Sequence, residues 1–260
     1  MCTVAAVGDN TIDRFVGERQ DVLVGGNALN VAVQFRALGE SVSYFGAVGL
    51  DADGDRIRRV LADKGIDTEG LQSTDGTTAT TRVRVLPSGE RIFEEEQYGL
   101  SGTYTPTAAD LVALATYSCV HIGMLTEPES VRRALFGRGP LLSQDCAVST
   151  GFDHLDVAFC SPGQERDGAE QLLIRAVQAG AELAVGTLGA DGSIAYDGRS
   201  WFHVPARAMN LVDTTGAGDS YIAAFLQARL DGADMSAAME AGTALAAKTC
   251  GHLGGFPQEG

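Results

Sequence analysis

Residues 213–219 read Asp-Thr-Thr-Gly-Ala-Gly-Asp, and the apolar run "SYIAAFLQARL" follows at once. Glycines at 216 and 218 let a backbone approach a ligand closely and turn its N–H groups toward it. The start of a helix adds unpaired amides and a partial positive charge, so the segment can bind an anion. Asp219 would repel a resting phosphate. It is well suited to taking the proton from a hydroxyl that attacks a phosphoryl group while the amides stabilise the developing charge. A helix terminus is expected to keep that carboxylate ionised. The same spacing also fits a tight turn with Asp219 as an ordinary cap. Competing motifs fail. Lys64 and Lys248 do not follow a glycine, which excludes a G-x-x-x-x-G-K-[ST] loop, and Tyr221 stands where a G-x-G-x-x-G fingerprint needs its last glycine. No G-x-S-x-G elbow is present.

The elements around this loop alternate. Apolar runs at 3–7, 42–49, 119–124, 156–161 and 182–189 read as strands, and "MNLV" (209–212) as a strand leading into the loop. Helical spacing appears at 25–39, with Asn27 as N-cap and Gly39 as stop, and again at 51–65, 128–137, 168–180, 219–232 and 236–251. Thr105-Pro106 reads as a cap and first helical residue. Residues 193–197 and 199–204 form an antiparallel pair. This rhythm predicts an α/β protein, a mainly parallel sheet covered by helices on both faces. Ligands in such sheets bind beyond the carboxyl ends of the strands, where 213–219 would lie. Residues 78–96 break the pattern by alternating apolar and polar around a Pro-Ser-Gly turn, which predicts a hairpin appendage or lid.

Composition narrows the partners. The 260 residues carry a net charge of −15, which argues against free nucleic acid. The five cysteines are scattered and the four histidines lie in no metal-binding spacing, so the cysteines read as reduced hydrophobes of a cytoplasmic protein. No signal peptide is expected at the start, and no apolar run approaches the roughly 18 residues of a membrane span.

"DTTGAGDSYIAAFL" resembles the C-terminal signature of the ribokinase/PfkB carbohydrate kinase family, and "GGNALNVAVQFRALGESVSYFGAVGLDADGDRI" (25–57) its N-terminal signature. The resemblance spans nearly the whole chain. It implies one Rossmann-like domain over residues 1–260, with a β lid formed by about 13–24 and 78–99, and transfer of the ATP γ-phosphoryl group to a sugar hydroxyl. By the motif match, Asp219 is the base, and the amides of Gly216, Ala217, Gly218 and Asp219 form the anion hole. Asp13, Gly25, Gly26, Asn27 and Asn30 would contact the sugar. Thr187, Gly189 and Gly192, in "TLGADGS", would line the nucleotide site with Gly216 and Gly218, and Ala247 and Cys250 would flank the adenine, with His252 nearby. Asn27 also reads as a mere cap and Asn30 as a helix-surface residue.

"SPGQE" (161–165) departs from the family's N-x-x-E segment: Glu165 fits the residue that supports Mg2+ through water, whereas Pro162 replaces the asparagine. Some relatives bind a monovalent cation near the positions of Asp213 and Thr215. The short length, the tight spacing from "VGDNTID" to "GGNALN", and the ending "GTALAAKTCGHLG" look most like the branch that phosphorylates fructosyl amines such as fructoselysine at the 6-hydroxyl. Such substrates are cationic. Asp9, Asp13 and the run Glu94 to Glu96 would suit one, although a charge run also reads as a solvated face. Other acceptors within the family, such as ribose, fructose or a nucleoside, and a non-catalytic sensor on the same fold, remain the alternatives. The hairpin could close over its own site or over a second copy in a homodimer.

Overall fold

Along the first strand Val4 and Ala6 face one helical layer, and Ala5 and Val7 the other, and all four are fully buried. A strand covered on both faces reads as a continuous apolar run instead of an alternation. The computed structural model describes residues 2–17, 20–85, 91–162, 166–209 and 211–258. In chain order the elements are β1 (Thr3–Val7), β2 (Thr11–Val16), β3 (Val22–Gly25), α1 (Asn27–Ala37), β4 (Ser41–Gly49), α2 (Ala52–Asp63), β5 (Leu71–Thr74), β6 (Thr80–Val85) and β7 (Arg91–Gln97). There follow α3 (Ala108–Leu114), β8 (Cys119–Ile122), α4 (Pro128–Leu135), β9 (Leu141–Asp145), β10 (Val157–Cys160), α5 (Arg166–Gln178), β11 (Leu183–Thr187), β12 (Ser193–Tyr196), β13 (Trp201–Val204), α6 (Ala217–Leu230) and α7 (Met235–Thr249).

The main sheet runs β13-β12-β11-β10-β9-β8-β1-β4-β5. It is parallel from β11 to β5, and β12 and β13 add an antiparallel edge. Helices α1, α2, α6 and α7 cover one face and α3, α4 and α5 the other. Phe35 and Phe225 are fully buried in the first layer, each contributing about 1.5–3 kcal/mol by burial. The predicted α/β architecture, a mainly parallel sheet with helices on both faces, is therefore the observed one. A second sheet, β3-β2-β6-β7, stands apart from it and joins the hairpin at 80–97 to a second hairpin at 11–25. The turn between β6 and β7 lies outside the described residues. Among the described residues no helix is long and apolar enough to cross a membrane.

Four local readings are corrected. Asn27 is the first residue of α1 and does not cap it; the cap position is Gly26, and Asp9 reaches across from the end of β1 to accept the Asn27 and Ala28 amides at 2.8 and 3.0 Å. The helix expected at Thr105 starts two residues later, where Thr107 and Asp110 form a reciprocal capping box. The described residues of "MNLV" do not form a strand: Leu211 and Val212 are 65% and 58% exposed, and the Val212 and Asp213 amides bond the Cys250 carbonyl instead of a sheet neighbour, while Asn210 lies outside the described residues. Finally, β9 and β5 were not anticipated.

Candidate active site

Gly216 takes a left-handed conformation (φ 73°) as the cap of α6, and a β-carbon there would drive into Gly255. The loop before it is clamped by Asp213, whose two oxygens accept the Thr215 and Gly254 amides at 2.8 and 2.7 Å. The C-terminal segment thus backs the loop. Gln34 donates to the Gly255 carbonyl at 2.7 Å, and Gln258 exchanges two hydrogen bonds with the Val24 backbone, as a paired strand would. At the start of α6 the Ala217 amide closes a turn onto Thr214 at 3.2 Å, while the Gly218 and Asp219 amides have no backbone acceptor among the described residues. A β-carbon at Gly218 would meet nothing within 4 Å. Two free amides on open space at a helix N-terminus can hold an anion. Of the four expected anion-hole residues, Gly216 shapes the turn and Ala217 is engaged in it.

Asp219 is 8% exposed. Its Oδ1 accepts the Asn27 amide and its Oδ2 the Asn30 amide, both at 2.7 Å. The same Asn27 Nδ2 donates to Asp145 Oδ2 at 2.8 Å, so one amide bridges two buried carboxylates. Burial pushes the Asp219 carboxyl well above the usual carboxylate range. The Asn30 amide opposes this, Asp145 and Asp9 push further up, and the Asn27 amide opposes again. Burial also raises Asp145 and Asp9, against the amides that each accepts. Burial among like charges thus outweighs the lowering expected of the helix terminus. Asp145 was missed because it ends β9, whose Ser143 and Gln144 are fully buried polar residues that break the apolar run. A carboxyl following a buried segment was the available signal.

Two clefts adjoin the residues around Asp219, which itself lines neither. A cleft of about 400 Å3 is lined by Thr187, Gly189, Gly192, Ala217, Gly218, Ala247 and Cys250, so the residues expected at the nucleotide lie together, apart from Gly216. Arg207, Met209 and Tyr221 also line it, and His252 does not. The second, about 200 Å3, lies under the four-stranded sheet and is lined by Asp9, Asn10, Asp13, Asn27, Glu96 and Tyr98 among others. Gly218 borders the first cleft, and Asn27, which holds Asp219, borders the second. Gly26 (φ 111°) lets the chain pass Asn10, whose Cα a β-carbon would approach to 2.5 Å. Gly25 leaves room for the Asp13 carboxylate, 2.7 Å from where a β-carbon would stand. Asn30 is buried against Asp219 and lines neither cleft. Glu165 lies outside the described residues. Among the described residues no group of three or more His, Cys, Asp or Glu is placed to hold a metal ion.

The family model of the pfkB carbohydrate kinases matches residues 15–130 and 152–257. The chain is 34% identical to the fructoselysine 6-kinase of Escherichia coli over 98% of this chain and the whole of that protein. It is 31% identical to the fructosamine kinase FrlD of Bacillus subtilis, over 96% of this chain and 92% of that one. Arabidopsis thaliana ribokinase, solved with ribose and ATP, superposes with a TM-score of 0.84 at 19% identity, covering 95% of this chain and 91% of its own.

Proposed function

The chain belongs to the pfkB family of carbohydrate kinases and is an ATP-dependent sugar kinase, and on that premise we propose that its acceptor is the 6-hydroxyl of a fructosyl amine such as fructoselysine, with Asp219 as general base. One observation carries the assignment of the base. Asp219 is a buried carboxylate held by the amides of Asn27 and Asn30, between Gly218, which borders the larger cleft, and Asn27, which borders the smaller, and beside helix amides that have no backbone acceptor among the described residues. Its raised pKa makes it a stronger base than an exposed aspartate, closer to the proton affinity that transfer at neutral pH requires. The similarity to kinases named for fructoselysine and fructosamines supports the acceptor.

In this reading the larger cleft takes ATP, which supplies the γ-phosphoryl group. Thr187, Gly189, Gly192, Ala247 and Cys250 would hold the nucleotide, and the Gly218 and Asp219 amides, with the positive end of α6, would stabilise charge on the transferring group. The donor set fits a Mg2+ ion carried chiefly by phosphate oxygens and water, since no carboxylate cage exists among the described residues and Pro162 offers no side-chain donor. Asp13 and Asn27 orient the sugar, and the Asn27 Oδ1, buried without a partner, keeps an acceptor for a hydroxyl. Asp219 takes the hydroxyl proton onto a carboxylate oxygen, while the Asn30 amide keeps the group in place. We assign the four-stranded sheet the part of a lid that excludes water, which would otherwise compete for the phosphoryl group. The test is ADP release with fructoselysine, fructose, ribose and adenosine in parallel. Turnover greatest with fructoselysine is expected; turnover with only ribose or adenosine overturns the acceptor assignment.

A further inference from the structure

Strand pairing sorts the three consecutive glutamates at 94–96. Thr81 stands opposite Glu96 and Arg82 opposite Glu95, and the register then shifts between Arg82 and Val83, leaving Glu94 as the extra residue of a bulge. Glu94 is neutralised by Arg82 and Arg84. Glu95 alternates to the opposite, outer face with Arg14 and Arg82, and accepts the Gln97 amide at 2.7 Å. Only Glu96 lines the cleft under the sheet.

Leu23, Asp13, Thr81 and Glu96 form one row across the four strands. Directly paired residues share a face, so Asp13 and Glu96 stand on the cleft side two strand spacings apart, about 10 Å. The described lining of this cleft holds three acids and no lysine or arginine. A second observation points to a donor-bearing ligand. Asn10 is 1% exposed, lines the same cleft, and spends its Nδ2 on the Tyr44 hydroxyl and the Ala47 carbonyl at 3.0 and 2.9 Å. The Ala47 carbonyl can only accept, so the amide orientation is fixed and the Asn10 Oδ1 is left buried without a partner. Beside Glu96 stands Tyr98, whose hydroxyl donates to Glu96 Oε2 at 3.4 Å and whose ring borders the cleft. A carboxylate next to an aromatic ring suits an alkylammonium.

We propose that Glu96 is the residue that receives the secondary ammonium of the acceptor, setting the preference for fructosyl amines over neutral sugars. This rests on the fructosyl-amine reading above. With the 6-hydroxyl at Asp219, the amine on C1 lies at the other end of the sugar. Glu96 is exposed, so the substituent on nitrogen has a path to solvent.

The experiment compares wild type, Glu96→Gln and the outer-face control Glu95→Gln. It reads KM and kcat for fructoselysine, together with the inhibition constant of fructose, which lacks the amine. Glu96→Gln is expected to raise the fructoselysine KM roughly five- to twentyfold, the range for a charge-assisted hydrogen bond at a half-open site. Its kcat should stay within about twofold and its fructose constant unchanged, while Glu95→Gln behaves as wild type. An unchanged fructoselysine KM in Glu96→Gln, or an equal loss for fructose, overturns the role of Glu96. A wild-type enzyme inactive on fructosyl amines but active on another sugar refutes instead the acceptor reading on which this role rests.

Discussion

Replacing Asp145 by asparagine should extend activity to lower pH. Both the Asp145 and the Asp219 oxygens accept from one Asn27 nitrogen, at 2.8 and 2.7 Å. The two N–H bonds of a planar amide diverge by about 120°, so the oxygens lie roughly 5 Å apart. At an effective dielectric of about 20, two unit charges at that distance repel by about 3 kcal/mol. Both groups are buried, so solvent screens little of it. In Asp145→Asn the new side chain keeps an acceptor for the Asn27 amide but carries no charge. Removing the repulsion makes Asp219 easier to deprotonate, and at a pH on the acid limb the deprotonated fraction rises tenfold or more. The assay is kcat/KM against pH under saturating ATP. The acid limb should move to lower pH while the neutral plateau remains. Because Asp9, Asp145 and Asp219 titrate as a set, the limb reports that set and not one residue. A limb that stays put, or moves to higher pH, refutes the Asp145 charge as a contributor to the raised basicity.

Three more outcomes follow from the same geometry. Gly216→Ala puts a side chain on a left-handed residue and against Gly255, costing about 2 to 5 kcal/mol and lowering Tm by roughly 5 °C or more in thermal unfolding. Gly218→Ala meets only open space, so its Tm should stay within about 2 °C while the KM for ATP rises about tenfold, because the methyl occupies the approach to the free amides. Asp219→Asn should be more stable than wild type at neutral pH. The pKa of Asp219 is higher folded than unfolded, so wild-type stability falls as pH rises from the ordinary carboxylate value of about 3.9 through the raised one. The variant's advantage in Tm should therefore be present at pH 7 and absent below about pH 4; equal Tm values at both pH values would contradict the burial argument.

Much of the fold was legible because most strands of the main sheet are buried on both faces and announce themselves as apolar runs, as "TVAAV" does. The failures have physical reasons. Strand β9 carries Ser143 and Gln144 in the sheet interior, where His121 bonds the serine at 3.0 Å and Arg132 the glutamine at 2.7 Å, and those partners come from distant segments. Losing β9 meant losing Asp145. "MNLV" has the composition of a strand, yet Met209 and Leu211 border the larger cleft, so their apolar character serves a binding wall and not a sheet. Asn27 has the residue type of a cap, but Asp9 does that work from 18 residues away, which frees the Asn27 amide for Asp219 and Asp145. The loop at 213–219 was readable because its chemistry is local: a left-handed turn, open amides and a carboxyl within four residues. The basicity of that carboxyl was not, because it comes from burial beside Asp145 and Asp9, which only the fold brings near.

The central claim is that Asp219 accepts the proton of the attacking hydroxyl. Its most direct test is the turnover of Asp219→Asn with fructoselysine and ATP, beside phosphorus NMR of the wild-type product and circular dichroism of the variant. The account predicts phosphate on the 6-hydroxyl in the wild type and a loss of about a hundredfold or more in kcat in a variant that remains folded. Turnover close to wild type in the folded variant would contradict it.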